Sequence, residues 1–203
     1  KLQLVGRELD ISELDTSRMT SMENMFMYCN IPNIKYSDLD TSNVTSMKRM
    51  FYNSEVPNID VSSFDTSKVS DMSSMFCNSR ARIITIGKIN TSSVRNMEAM
   101  FYGCKAERID LSGIDVSNVT NMSEMFYNCN AYRIMLDNFD VSGVKDMRSM
   151  FWGCLPLELD LTSFEIGEET RLAGIFGLCR SKVLAKDERI LKAYESYRPK
   201  KHA

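Results

Sequence analysis

The apolar positions of this chain recur with a single period of 25 residues, marked by Phe26, Phe51, Phe76, Phe101, Phe126, Phe151 and Phe176. An unslipped period in the 20–50-residue range is the mark of a solenoid, whose units stack and bury one continuous core. Seventeen residues before each Phe stands an apolar column: Leu9, Ile34, Ile59, Ile84, Ile109, Ile134 and Leu159. Fifteen before stands another: Ile11, Tyr36, Val61, Ile86, Leu111, Leu136 and Leu161. Two apolar columns around one polar position predict a short strand with one buried face. Three residues on, Leu14, Leu39, Phe64, Ile89, Ile114, Phe139 and Phe164 form a third apolar column.

A polar phrase follows, in its purest form Asp15-Thr16-Ser17, Asp40-Thr41-Ser42 and Asp65-Thr66-Ser67. These side chains suit the free amides of a helix start. Beyond the phrase the spacing becomes helical. Val44, Met47, Met50 and Phe51 fall at i, i+3, i+6 and i+7, as do Val119, Met122, Met125 and Phe126. The pattern predicts an α/β solenoid of about seven strand–turn–helix units, with a parallel sheet on one face and short helices on the other. At ~4.8 Å per strand the stack is a rod or arc roughly 30–35 Å long.

The ends of such a stack need caps. Residues 1–8, with Leu2, Leu4 and Val5, are expected to form the N-terminal cap, and 9–182 the seven-repeat solenoid. Residues 183–203 read as a capping helix, with Leu184, Ile190, Leu191 and Tyr194 on one face, and a basic tail of Arg198, Lys200 and Lys201. The seventh repeat is degenerate, as one before a cap can be: Glu169 stands in the Val column, and Leu172 and Ile175 replace methionines.

Composition narrows the function. The period accounts for the methionine excess, since twelve of the 15 occupy two core columns, Met22 to Met147 and Met25 to Met150. They read as flexible, gap-filling core residues. With 25 basic and 27 acidic residues the net charge is −2, which argues against a general nucleic-acid or anionic-membrane surface. No apolar run approaches the ~20 residues that span a bilayer. The first residue is Lys1, which leads us to expect a processed or trimmed segment.

Catalytic and metal chemistry find little support. A nucleophile needs a base, and the one histidine is His202, in the tail. Cys29, Cys104, Cys129, Cys154 and Cys179 share the column three after the Phe, with Ser54 and Ser79 in the other repeats and Cys77 off-column. No Cys/His pair has zinc spacing. Side chains stacked in parallel rarely reach disulfide torsions, so the column is expected to hold free, buried thiols and the chain no cofactor. Asp15, Asp40, Asp65, Asn90, Asp115, Asp140 and Glu165 recur because each turn needs a hydrogen-bond acceptor, with calcium binding the alternative.

Recognition belongs in exposed columns that vary. The polar strand position reads Asp10, Lys35, Asp60, Thr85, Asp110, Met135, Asp160. Alternation keeps like carboxylates off adjacent rungs; a partner-reading surface is the other explanation. Beside it run Arg108 and Arg133, with Tyr132 and Met135 close by, a mixed basic and apolar patch of interface-type residues. One residue after each Phe, Tyr52, Tyr102, Tyr127 and Trp152 form an aromatic edge, either a half-buried rim or a second contact surface. The candidate binding residues are therefore Lys35, Asp60, Arg108, Asp110, Tyr132, Arg133 and Met135, then Tyr52, Tyr102, Tyr127 and Trp152.

The run Ile109–Cys129 follows the phrase Leu-Asp-x-Ser-x-Phe-Asp-x-Ser-x-Val-x-x-Met-x-x-Met-Phe-x-x-Cys, with Ile109 and Ile114 at its Leu and Phe positions. In this the chain resembles the BspA-like leucine-rich-repeat surface proteins, with Mycoplasma-lipoprotein-type repeats of this length, over residues 9–179. It departs where those repeats carry Leu six residues after the Phe: here stand Pro32, Pro57, Arg82, Glu107, Tyr132 and Leu157. The resemblance implies a leucine-rich-repeat-like stack and a non-catalytic protein-binding or adhesion module, on the cell surface or secreted. Its partner would be a host matrix or surface protein. Separately, the ends of a solenoid are open sheet edges, which allow end-to-end self-association. The alternative is an intracellular or virion-associated scaffold, which six unpaired thiols also suit.

Overall fold

Each buried strand column sits between two solvent-facing positions, and the backbone responds with strands only a few residues long. The computed structural model describes the backbone of residues 4–5 and all of residues 8–197. Leu2, Arg198, Lys200 and Lys201 lie outside the described residues. The strands are β1 (Leu4–Val5), β2 (Glu8–Asp10), β3 (Asn33–Lys35), β4 (Asn58–Asp60), β5 (Ile83–Thr85), β6 (Arg108–Asp110), β7 (Arg133–Met135), β8 (Glu158–Leu161) and β9 (Lys182–Ala185). From β2 onward the pairing is parallel, and Leu9 faces Ile34, Ile59 faces Ile84, and Ile109 faces Ile134. The molecule is a parallel-strand β-solenoid of about seven coils.

The ladder on this face is broken into three sheets, β1-β2-β3, β4-β5-β6-β7 and β8-β9. At the first break the phenol of Tyr36 accepts the Asp60 amide at 2.9 Å. A side chain thus takes a donor of the strand that follows. A second ladder of isolated parallel bridges runs along the stack through Ser21, Ser46, Asp71, Asn96, Asn121, Asp146 and Arg171.

The expected short helices are absent from the coils. In the coil of Phe126, the amides of Met125, Tyr127 and Cys129 bond the carbonyls three residues back, at 3.3, 3.0 and 3.1 Å. The intervening amides of Met122, Glu124, Phe126 and Asn128 bond Asp146, Arg148, Met150 and Trp152 of the next coil, at 2.7–2.9 Å. Glu124 and Asn128 take left-handed φ of 58° and 49°. Left-handed residues recur two before and two after the Phe in every coil, from Asn24 and Tyr28 to Gly174 and Leu178. A right-handed helix cannot contain them. Three-residue turns return apolar side chains to one side as a helix does, so the sequence pattern is the same. The hydrogen bonds differ, because half of them tie coil to coil.

The core sits between these faces. The seven phenylalanine rings stack in order, with centroids 5.1–5.9 Å apart and planes within 23°. Met47, Met72, Met97, Met122 and Met147 are fully buried alongside. Leu14, at the open first coil, is 44% exposed where its column is otherwise buried. The one helix among the described residues is α1 (Glu188–Ser196). Asp187 caps it by accepting the Arg189 and Ile190 amides. Ile190 is buried, Tyr194 stands edge-on to Phe176 with centroids 5.6 Å apart, and the Tyr197 hydroxyl accepts the Gly174 amide. The helix thus closes the last coil. Leu184 belongs to β9 rather than to the helix.

Candidate functional site

The regular rungs of the sheet face are disturbed between β5 and β6, and a cleft opens there. β5 and β6 pair only at Ile83 and Arg108. At the ends of these strands the column that holds Ser62 and Ser112 holds Gly87, whose φ is +69°. The cleft has a volume of about 520 Å³ and is lined by residues of β5, β6 and the turns that flank them, with Tyr132 at one side.

Its chemistry is mixed. Ile83 is 55% exposed and Tyr132 60%, unusual for apolar side chains of their size. Arg82 grips Glu107 of the next coil through Nε and Nη2, at 3.0 and 2.7 Å. The Arg108 guanidinium reaches the Asp110 carboxylate at 3.0 Å and the Met135 sulfur at 3.3 Å. Burial raises the Asp110 carboxyl, but the Ser112 hydroxyl and amide and the Arg108 charge outweigh it and hold the pKa below the ordinary carboxylate value. Arg133 stands in register beside Arg108 on β7. Like charges at directly opposed positions repel. Arg133 has no ion-pair partner among the described residues. The pair therefore leaves a positive charge free on the face.

The residues singled out from sequence fall into three places. Arg108, Asp110 and Tyr132 line this cleft, and Arg133 and Met135 lie beside it on β7. Lys35 and Asp60 line a smaller hollow of about 330 Å³ at the break between β3 and β4. Lys35 is engaged there, at 3.0 Å from Glu8 and 3.3 Å from Asp10, and the Glu8 carboxylate above all raises its pKa.

The four aromatic-edge residues line neither hollow. Tyr102, Tyr127 and Trp152 form a half-buried stack, with centroids 4.7 and 6.0 Å apart and planes within 3°. Gly177 ends it, because the indole of Trp152 lies where a side chain at 177 would stand. Tyr52 is separated from them by Cys77 and meets Tyr28 edge-on instead.

The alternating aspartates also have a structural task. Asp10, Asp60, Asp110 and Asp160 each accept the amide and hydroxyl of the Ser or Thr two residues on. Where the strand position is Thr85 or Met135, the residue two on is Gly87 or Asp137. This pairing, to which Lys35 with Ser37 is the exception, was visible in the sequence. Sequence reasoning missed Ile83 as a cleft residue; its signal was a lone aliphatic in the column Glu8, Asn33, Asn58, Arg108, Arg133, Glu158. It also missed Leu157, 87% exposed on the rung after Tyr132.

Among the described residues, no cluster of three or more His, Cys, Asp or Glu is placed to hold a metal ion, and no helix is long and apolar enough to cross a membrane. Parallel coils with a 25-residue period, a stacked Phe core and a capped end define a β-solenoid repeat protein. The chain belongs to the family described as Mycoplasma protein of unknown function, DUF285, which it matches over residues 4–110 and again over 78–186. The two matches overlap across 78–110, as an internally repeated chain allows. No curated protein and no solved structure matches it.

Proposed function

We propose that this chain is a non-catalytic protein-binding module of the BspA-like leucine-rich-repeat type, acting at a cell surface in adhesion. Its binding surface is the sheet face around the β5–β6 cleft. One observation carries this reading: the cleft lies where the repeat departs from its own rule. The fold explains the Phe, Met and Asp-x-Ser columns, but it has no use for an exposed Ile83 or for Arg108 and Arg133 side by side. A rigid scaffold spends little backbone ordering entropy on presenting such residues. Exposed aromatic, arginine and aliphatic side chains around a hollow supply the residue types that dominate interface energies.

The test is binding of the intact chain to a panel of host extracellular-matrix proteins, alongside a variant carrying R108E and R133E. Saturable binding that the variant loses, with its circular dichroism unchanged, supports an adhesin that uses this face. Binding that survives both charge reversals removes the cleft from the reading. Absence of binding to every matrix protein favours the alternative, an intracellular scaffold, and turns the search to partners from the protein's own cell.

A further inference from the structure

Six cysteines are present as free thiols, and one pair touches. The Cys154 and Cys179 sulfurs are 3.4 Å apart, on the sixth and seventh coils. Cys154 is fully buried, whereas Cys179 is partly exposed. Cys104 and Cys129 stand in the same column and are fully buried. Cys29 is followed in its column by Ser54, and so has no thiol on the next coil.

The regular period also ends here. Glu8 pairs with Asn33, an offset of 25, but Glu158 pairs with Lys182, an offset of 24. The residue is lost between Cys179 and Lys182. The last thiol of the column is therefore held in a coil that departs from the others.

We propose that Cys154 and Cys179 form an oxidative modification site, closed to an inter-coil disulfide by a low-molecular-weight disulfide such as oxidised glutathione. The partly exposed Cys179 thiolate attacks one sulfur of the reagent, whose S–S bond breaks. One thiolate leaves, takes a proton and departs as free thiol. Cys154 then loses its proton and attacks the Cys179 sulfur of the mixed disulfide, and the second reagent thiol leaves with that proton. Two electrons and two protons pass from the cysteine pair to the reagent, which is reduced to two thiols. The sulfurs must close from 3.4 Å to about 2.05 Å, and adjacent rungs at ~4.8 Å lie within the Cα range that disulfides bridge.

The thiols' acidities agree with these roles. The hydrogen bond between the two thiols lowers Cys179 below the ordinary thiol value, while that contact and burial raise Cys154. Burial pushes Cys77 up to about 11 and Cys104 up to about 12, so neither competes as a thiolate. The bond would tie the last coil, and with it helix α1, to the coil before.

The experiment is incubation of the full chain with oxidised glutathione, followed by non-reducing peptide mapping. The expected product is a single cross-linked peptide pair containing Cys154 and Cys179, with both thiols lost one for one and a raised melting temperature. C154S should stop at a glutathione adduct on Cys179, and C179S should leave Cys154 reduced. Both replacements are tolerable in shape, because Ser54 and Ser79 already occupy this column fully buried. A wild-type chain that stays reduced, that keeps glutathione on Cys179 without cross-linking, or that links another pair overturns the proposal.

Discussion

The side-chain carbonyl of Asn78 occupies the place where a side chain at Gly103 on the next coil would begin. Gly103 has φ of +60°, but left-handed backbone is not its distinction, since Asn53, Asn78 and Asn128 hold the same turn position at 49–53°. What a side chain would meet is the end of the Asn78 side chain, which would have to turn aside. G103A is expected to cost about 2–4 kcal/mol, from left-handed strain plus overpacking. Adding N78A should return the steric part. A double-mutant cycle by urea denaturation separates the two, and additive effects would show that Asn78 does not set the penalty.

Phe126 is fully buried between Phe101 and Phe151, at 5.6 and 5.5 Å. F126A should cost about 3–5 kcal/mol, and F126L clearly less, since leucine refills much of the space. Phe26 stands at the open end with one phenylalanine neighbour, Phe51, so F26L should cost less than F126L. Equal losses at the two positions would mean that stacking within the ladder contributes little.

The turn carboxylates make stability depend on pH. Asp15, Asp40, Asp65, Asp115 and Asp140 all lie below the ordinary carboxylate value, held there by the hydroxyl and amide of the Ser two residues on. Folded values below the unfolded ~3.9 mean that the contribution is present above that pH and is lost as pH falls through the lowered values. Thermal melts should therefore drop between neutral pH and pH 3. Asn90 already fills this position, accepting the Ser92 amide at 3.1 Å. Replacing the five aspartates by Asn should keep the turns and flatten the acid limb. A variant as acid-labile as the parent would place the pH dependence elsewhere.

Ile83 separates binding from folding. Its side chain lies in the cleft and is 55% exposed. I83S should shift stability by no more than about 0.5 kcal/mol, as at other surface positions, while weakening any partner that uses the cleft. A large loss of stability would give Ile83 a structural role and remove it from the binding surface.

The 25-residue period and the buried columns were legible because each coil repeats the same burial, and sequence preserves that repetition. The helices were misread for a physical reason. Met122, Met125 and Phe126 face the core either in a helix or in successive three-residue turns. What differs is where the amides of Glu124 and Phe126 bond, and apolar spacing carries no record of that. On the sheet face, Arg108, Asp110, Tyr132 and Arg133 were recognisable as the variable patch. The cleft itself was not, because it follows from a single-residue contact between β5 and β6 and from the turn at Gly87. The tie between Asp110 and Ser112 was legible in principle, through its recurrence at Asp10, Asp60 and Asp160.

The coil-to-coil amide ladder has a mechanical meaning. Its bonds run between successive coils, from Phe126 to Met150 and from Phe151 to Ile175. Pulling the chain ends apart loads the coil interfaces in series, so the weakest set of rungs gives way first while the others hold. Each coil of 25 residues released in this way adds about 80–90 Å of extended chain. Under tension the molecule should lengthen in near-equal steps, giving way a coil at a time while the remaining stack keeps its grip.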